Sequence, residues 1–128
     1  MKLRLRKYFL KFEPLPFRQP LVRTSLILSL LFLGLIVFLL IGRLLPLIGD
    51  HEFVVLHYNV YVGVDRVGHW SRLLVMPIIG LIAGVVNVLS ASWWWERERM
   101  LALYFLIGTV VIEFTMAVAS LLTVLVNL

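Results

Sequence analysis

Three long apolar runs decide what this chain can fold into. Thr24–Gly42 holds 19 residues without a charge, Leu73–Trp95 holds 23, and Met100–Leu128 holds 29 with one charged side chain, Glu113. A helix needs about 20 apolar residues to cross the hydrocarbon of a bilayer, so each run is long enough. The chain is 62% hydrophobic with a mean hydropathy of +1.01, against roughly 45–50% apolar residues in a soluble domain. The expected fold class is therefore an all-α membrane protein. Its three transmembrane helices should cover about 22–46, 72–94 and 100–126, with an extended or hairpin-like loop between the first two. The spans leave too little chain for a separate soluble domain, so residues 1–128 read as one integral membrane unit. The first run is expected to be a retained helix, because its basic lead and its apolar core are both longer than a cleaved leader's.

Charge orients the helices. Of twelve basic residues, seven precede the first run: Lys2, Arg4, Arg6, Lys7, Lys11, Arg18 and Arg23, against Glu13 alone. The positive-inside rule puts that tail in the cytoplasm. Three crossings then place loop 49–71 and the C-terminus outside, and turn 93–99 inside. The turn's Trp93, Trp94 and Trp95 suit the headgroup zone. Residues 1–21 mix basic and apolar side chains. Lys2, Arg4, Arg6, Lys7 and Lys11 are the expected anionic-lipid contacts, each worth about 1 kcal/mol near a charged leaflet. Pro14, Pro16 and Pro20 interrupt regular structure before the first span. The net charge of +5 is thus a membrane-surface signal. The sequence has no zinc-finger spacing and no basic helix outside the spans, so no nucleic-acid partner is expected. It also has no cysteine, which removes disulfides and thiolate chemistry.

Loop 49–71 collects all three histidines, His51, His57 and His69, together with Asp50, Glu52 and Asp65. Its middle, 53–64, is rich in β-branched and aromatic residues, which favours strand. Gly63 and Gly68 bracket an expected turn at Val64–Val67. On a strand, His57 and Asn59 point the same way, and Asp65 and His69 could converge on them from across a turn. His57, Asn59, Asp65 and Gly68 are the candidate ligand- or partner-binding residues. The bland alternative is that Asn59 and Asp65 hydrogen-bond turn backbone while His57 caps or packs. No compact metal motif such as His-x-x-x-His is present, so neither metal nor cofactor is expected.

The same stretch carries a resemblance. His57-x-Asn59, then Gly63-x-Asp65-Arg66-x-Gly68, followed by a span, resembles a small bacterial membrane domain of unknown function. That domain precedes membrane spans in proteins similar to the sporulation-delaying-toxin immunity protein. Measured from Asn59, Asp65 and Gly68 fall at the family spacing. Val55 stands where the family has proline, Val67 where it has tryptophan, and Gly63 comes one place late. The resemblance implies a bacterial plasma-membrane protein, with an immunity or signalling role as a further step.

Two stripes mark the membrane core. In the second run Gly80, Ala83, Gly84, Asn87 and Ala91 lie on one helix face. Gly80 and Gly84 form a Gly-x-x-x-Gly element that lets helices approach closely, within the chain or between copies. In the third run Thr109, Glu113, Ala117, Ser120 and Thr123 or Val124 share a face. A carboxyl at bilayer depth is costly and should face the bundle interior. Asn87 and Ser29 are its expected hydrogen-bond partners. Glu113 reads either as a proton- or cation-linked site or as a neutral carboxyl fixing helix register. Pro77 should kink the second helix or serve its first turn.

No Gly-x-Ser-x-Gly, His-Glu-x-x-His or phosphate-binding loop occurs, so no enzyme is expected. The leading expectation is a non-enzymatic membrane protein that binds a partner or ligand through loop 49–71, in an immunity or accessory role. The alternative is an oligomeric transporter or channel component using Glu113.

Overall fold

The computed structural model describes residues 15–49 and 52–128. The basic-tail residues Lys2, Arg4, Arg6, Lys7 and Lys11 lie outside the described residues, as do Asp50 and His51.

The first span opens with Pro20 in the first turn of α1, Pro20–Val37, where its missing N–H costs nothing. The helix continues through π-helical turns at Phe38–Leu44 into the short α2, Leu45–Ile48. Pro46 explains the wide turns. A proline ring clashes with the carbonyl four residues back, here that of Gly42. The N–H of Leu45 correspondingly reaches five residues back to Leu40. Gly49 ends the helix with φ +56°, in the region that favours glycine.

Strands β1, Phe53–Asn59, and β2, Gly63–His69, then pair antiparallel. A 3₁₀ turn, Trp70–Leu74, leads into α3, Val75–Trp94. Pro77 sits in the first turn of α3, so it starts the helix and does not break it. After a tight turn, α4 covers Arg99–Val126. Among the described residues, three helices are long and apolar enough to cross a membrane, Pro20–Ile48, Trp70–Trp94 and Arg99–Val126. Every bound falls within two residues of the sequence expectation. The chain is a multi-pass, mostly helical protein with one small hairpin.

α4 is the hub and packs extensively against both α1 and α3. Its buried residues, Ala102, Leu106, Thr109, Glu113, Ala117, Ser120, Thr123 and Val124, recur every three or four positions and form one face. Two apolar cores lie along that face. One joins Leu15, Val22, Ala91, Trp95, Ala102 and Leu106 at the tail end. The other joins Ile36, Leu40, Leu44, Ile48, Leu73, Ala117 and Val124 with Val54 of the hairpin. Between them lies a waist at Thr109 and Glu113. At the tail end, the carbonyl of Trp94 accepts from the amides of Arg97 and Glu98. Arg97 lies 4.9 Å from the Trp93 ring and 5.9 Å from that of Trp94, a cation–π arrangement suited to an interfacial turn.

The hairpin turn is not where the glycines suggested. Asn59 pairs with Gly63, so the loop is Val60-Tyr61-Val62, and Val64–Val67 lie within β2. Gly63 carries φ +82°, the conformation that closes a three-residue loop. The Asn59 Oδ1 accepts from the Tyr61 amide at 2.9 Å and sets the turn. Polarity at Asn59 was therefore a better turn signal than the spacing of glycines.

Candidate functional site

Two regions bring polar chemistry together: the hairpin and the waist of the helix bundle.

The hairpin is irregular where its chemistry sits. Val55 faces Val67, His57 faces Arg66, and Tyr58 faces Val64. Leu56 is thus an extra residue on β1 and Asp65 an extra residue on β2, two bulges that offset one another. They bring the His57 and Asp65 side chains together. The Nδ1–H of His57 donates to Oδ1 of Asp65 at 2.7 Å, with both groups open to solvent. The Leu56 bulge turns its side chain inward over Gly68. A Cβ at Gly68 would stand 2.6 Å from the Leu56 methyl and 3.4 Å from Cδ of Arg72. A side chain at Gly68 would displace the Leu56 methyl, and glycine itself offers no ligand group. Asn59 is occupied by its turn. His69 takes neither part: its Nδ1 accepts from the Ser71 amide at 3.2 Å and caps the 3₁₀ turn. The loop residues separate accordingly. His57 and Asp65 meet, whereas Asn59, Gly68 and His69 serve the backbone. Among the described residues, no three His, Cys, Asp or Glu side chains are close enough to hold a metal.

One residue that sequence reading missed fixes this hairpin. The Val55 amide donates to Oδ1 of Asn127, and Nδ2 of Asn127 donates to the Val55 carbonyl, both at 2.9 Å. Nδ2 also donates to the Thr123 carbonyl at 2.8 Å. The amide side chain thus pairs with the open edge of β1 as a neighbouring strand would. It also ties the hairpin to the last turn of α4. A lone amide closing an apolar run was the available signal. The Trp70 amide donates to the Glu52 carbonyl at 3.2 Å and closes the base of the hairpin.

What the fastened hairpin presents is apolar. Tyr61 is 96% exposed, Val60 85% and Val62 73%. Phe53, Tyr58 and Val67 are also exposed.

The waist is the opposite environment. Glu113 lies midway along α4 and is 1% exposed. Ser29 of α1 supplies its side-chain hydrogen bond. A Cβ at Gly84 would stand 3.2 Å from Oε1 of Glu113 and 3.7 Å from the Thr109 methyl. Gly80 faces Leu33 and Met116 one turn away. The Gly-x-x-x-Gly element thus meets side chains of its own chain. Asn87 is half-buried and makes no hydrogen bond to Glu113, so of the two expected partners only Ser29 reaches it. Oε2 of Glu113 is buried without a partner among the described residues. The stripe of hydroxyls does not supply one. Thr109, Ser120 and Thr123 each donate to the carbonyl four residues back in α4, at 2.8–3.0 Å, a common way for hydroxyls to satisfy themselves inside a helix.

No family model, no curated protein and no solved structure matched this chain.

Proposed function

We propose that this chain is a non-enzymatic bacterial plasma-membrane protein that recognises a membrane-protein partner through its hairpin. The basic tail faces the cytoplasm in this reading, and the hairpin faces outward. The observation that carries it is the pairing of fixation with exposure. The Asn127 clamp and the burial of Val54 in the bundle core hold the hairpin in one pose, while the Val60-Tyr61-Val62 tip stays bare to solvent. Ordering a loop before contact lowers the entropy cost of binding, and tyrosine is among the residues enriched at recognition surfaces. The His57–Asp65 pair beside the tip adds polar selectivity at the rim. The resemblance to immunity-type membrane domains points toward an immunity or accessory role. The test is crosslinking and capture from native membranes with the wild type and with Val60, Tyr61 and Val62 all changed to Ser. A partner held by the wild type and lost by the variant supports the reading, provided the variant still inserts. Equal capture by both, or none by either, removes it.

A second reading rests on the unpartnered Oε2 of Glu113. A carboxyl left half satisfied at the centre of a span suits a proton- or cation-linked transporter or channel component. Three helices enclose no polar pathway, so that role needs further copies. The Gly80 and Gly84 face is already taken up by neighbours in the same chain, so the copies would meet elsewhere. Glu113→Gln keeps size and hydrogen bonding while removing ionisation. Transport that survives this change would dismiss the reading.

A further inference from the structure

Beneath the hairpin, two adjoining cavities share Leu56, His57 and Met76. The first, about 570 Å³, is lined by His57, Asp65, Arg66 and Arg72 above Leu73 and Val75. The second, about 380 Å³, is apolar and bounded by Tyr58 and Val60 of the hairpin and by Ala119, Leu122 and Val126 of α4. These three α4 residues, with Thr123, follow one helix face at intervals of three and four. From Val126 to Ala119 the groove descends about 10 Å toward the bilayer centre. Leu122 and Val126 are also open to the lipid side.

The polar half carries uncompensated positive charge. Its one acid, Asp65, is engaged by His57. Among the described residues, Arg66 and Arg72 form no ion pair. The stem of Arg72 passes beside Gly68, within 3.4 Å of where a Cβ would stand. Two arginines at the mouth of a descending apolar groove match an amphiphile with an anionic head and a hydrocarbon tail.

We propose that a membrane lipid with an anionic phosphate headgroup occupies this composite site. Its phosphate sits between Arg66 and Arg72, and the first carbons of one acyl chain lie between β1 and the Ala119–Val126 face. The site lies at the opposite end of the bundle from Pro20, where α1 begins. It uses the underside of the hairpin and shares only Val60 with the tip, so it does not depend on Tyr61 and Val62 recognising a protein.

The test is native mass spectrometry of the full chain in neutral detergent with equal phosphatidylglycerol and phosphatidylcholine. The wild type should retain one phosphatidylglycerol in preference to phosphatidylcholine. Arg66→Gln and Arg72→Gln should each weaken retention about fivefold, and together about 25-fold if independent. Arg23→Gln with Arg99→Gln, at the other end, should change nothing. Ala119→Trp should lower retention of both lipids by filling the groove. Excess glycerol 3-phosphate should leave the lipid in place. The proposal is overturned if the wild type has no headgroup preference, if the double variant keeps it, or if the distal pair abolishes it equally. Displacement by glycerol phosphate would overturn it too, since the arginines would then serve a free phosphate ester. A variant with only Tyr61→Ser and Val62→Ser, which line neither cavity, should retain the lipid and lose the protein partner, which separates this site's failure from the tip's.

Discussion

Asp65 and Glu113 are both carboxyls with one hydrogen-bonding side chain each, and their surroundings make them different objects. Asp65 stands in the open beside His57, where water serves whatever the histidine leaves, and such a pair is worth about 0–1 kcal/mol. Glu113 is sealed between three helices with Ser29 on one side and nothing on Oε2. A buried polar atom left without a partner costs about 1–3 kcal/mol. The hairpin can change its surface cheaply, which suits the recognition role proposed for it. The waist cannot, and its tolerance of a costly group marks it as either a register lock or a transport site.

The sharpest way to break this contrast is at Gly84. Gly84→Leu drives a large side chain toward Glu113 and Thr109, where even a bare Cβ would be tight at 3.2 Å. Forced overpacking costs typically 1–3 kcal/mol. The substitution should lower the detergent Tm by several degrees and leave the hairpin untouched. A Tm equal to wild type would mean that α3 and α4 are not close-packed at the waist. Asn127→Ala should cost somewhat less, about 2 kcal/mol for two hydrogen bonds to β1, and mainly locally. Hydrogen exchange at the Val55 amide should accelerate strongly while amides in the middle of α4 stay protected. Unchanged exchange would mean that the hairpin holds itself. The smallest effect should be Gly80→Ala. Its new Cβ would meet Leu33 and Met116 at ordinary distances of 3.4 and 3.6 Å, and the gain in helix propensity is up to about 1 kcal/mol. A Tm at or slightly above wild type is expected. A large drop would show that the two glycines carry equal packing strain.

The spans and the buried face of α4 were legible because hydrophobicity and a 3.6-residue period are local properties. The inward aim of Glu113 followed from the same stripe. Its partner did not, since choosing Ser29 over Asn87 depends on how deep each helix sits relative to the others. The strand character of 53–64 was visible, yet the register was misjudged. Gly68 looks like a turn residue in sequence but is small to admit Leu56 and Arg72. The compensating bulges at Leu56 and Asp65 leave no local mark. The Asn127 clamp joins residues 72 positions apart, a pairing fixed by the closed bundle. The π-helical turns before Pro46 show how a proline within an apolar run can widen a helix without ending it.

The claim at the centre of this account is that the hairpin tip is a contact surface. Site-specific photo-crosslinking in native membranes tests it directly, with the photoreactive residue placed at Tyr61 or, as a control, at lipid-facing Ile82 of α3, which is 57% exposed. A discrete protein adduct is expected from Tyr61, weakening in an Asn127→Ala background, and only lipid adducts from Ile82. No protein adduct at Tyr61, or the same adducts from both positions, would contradict it.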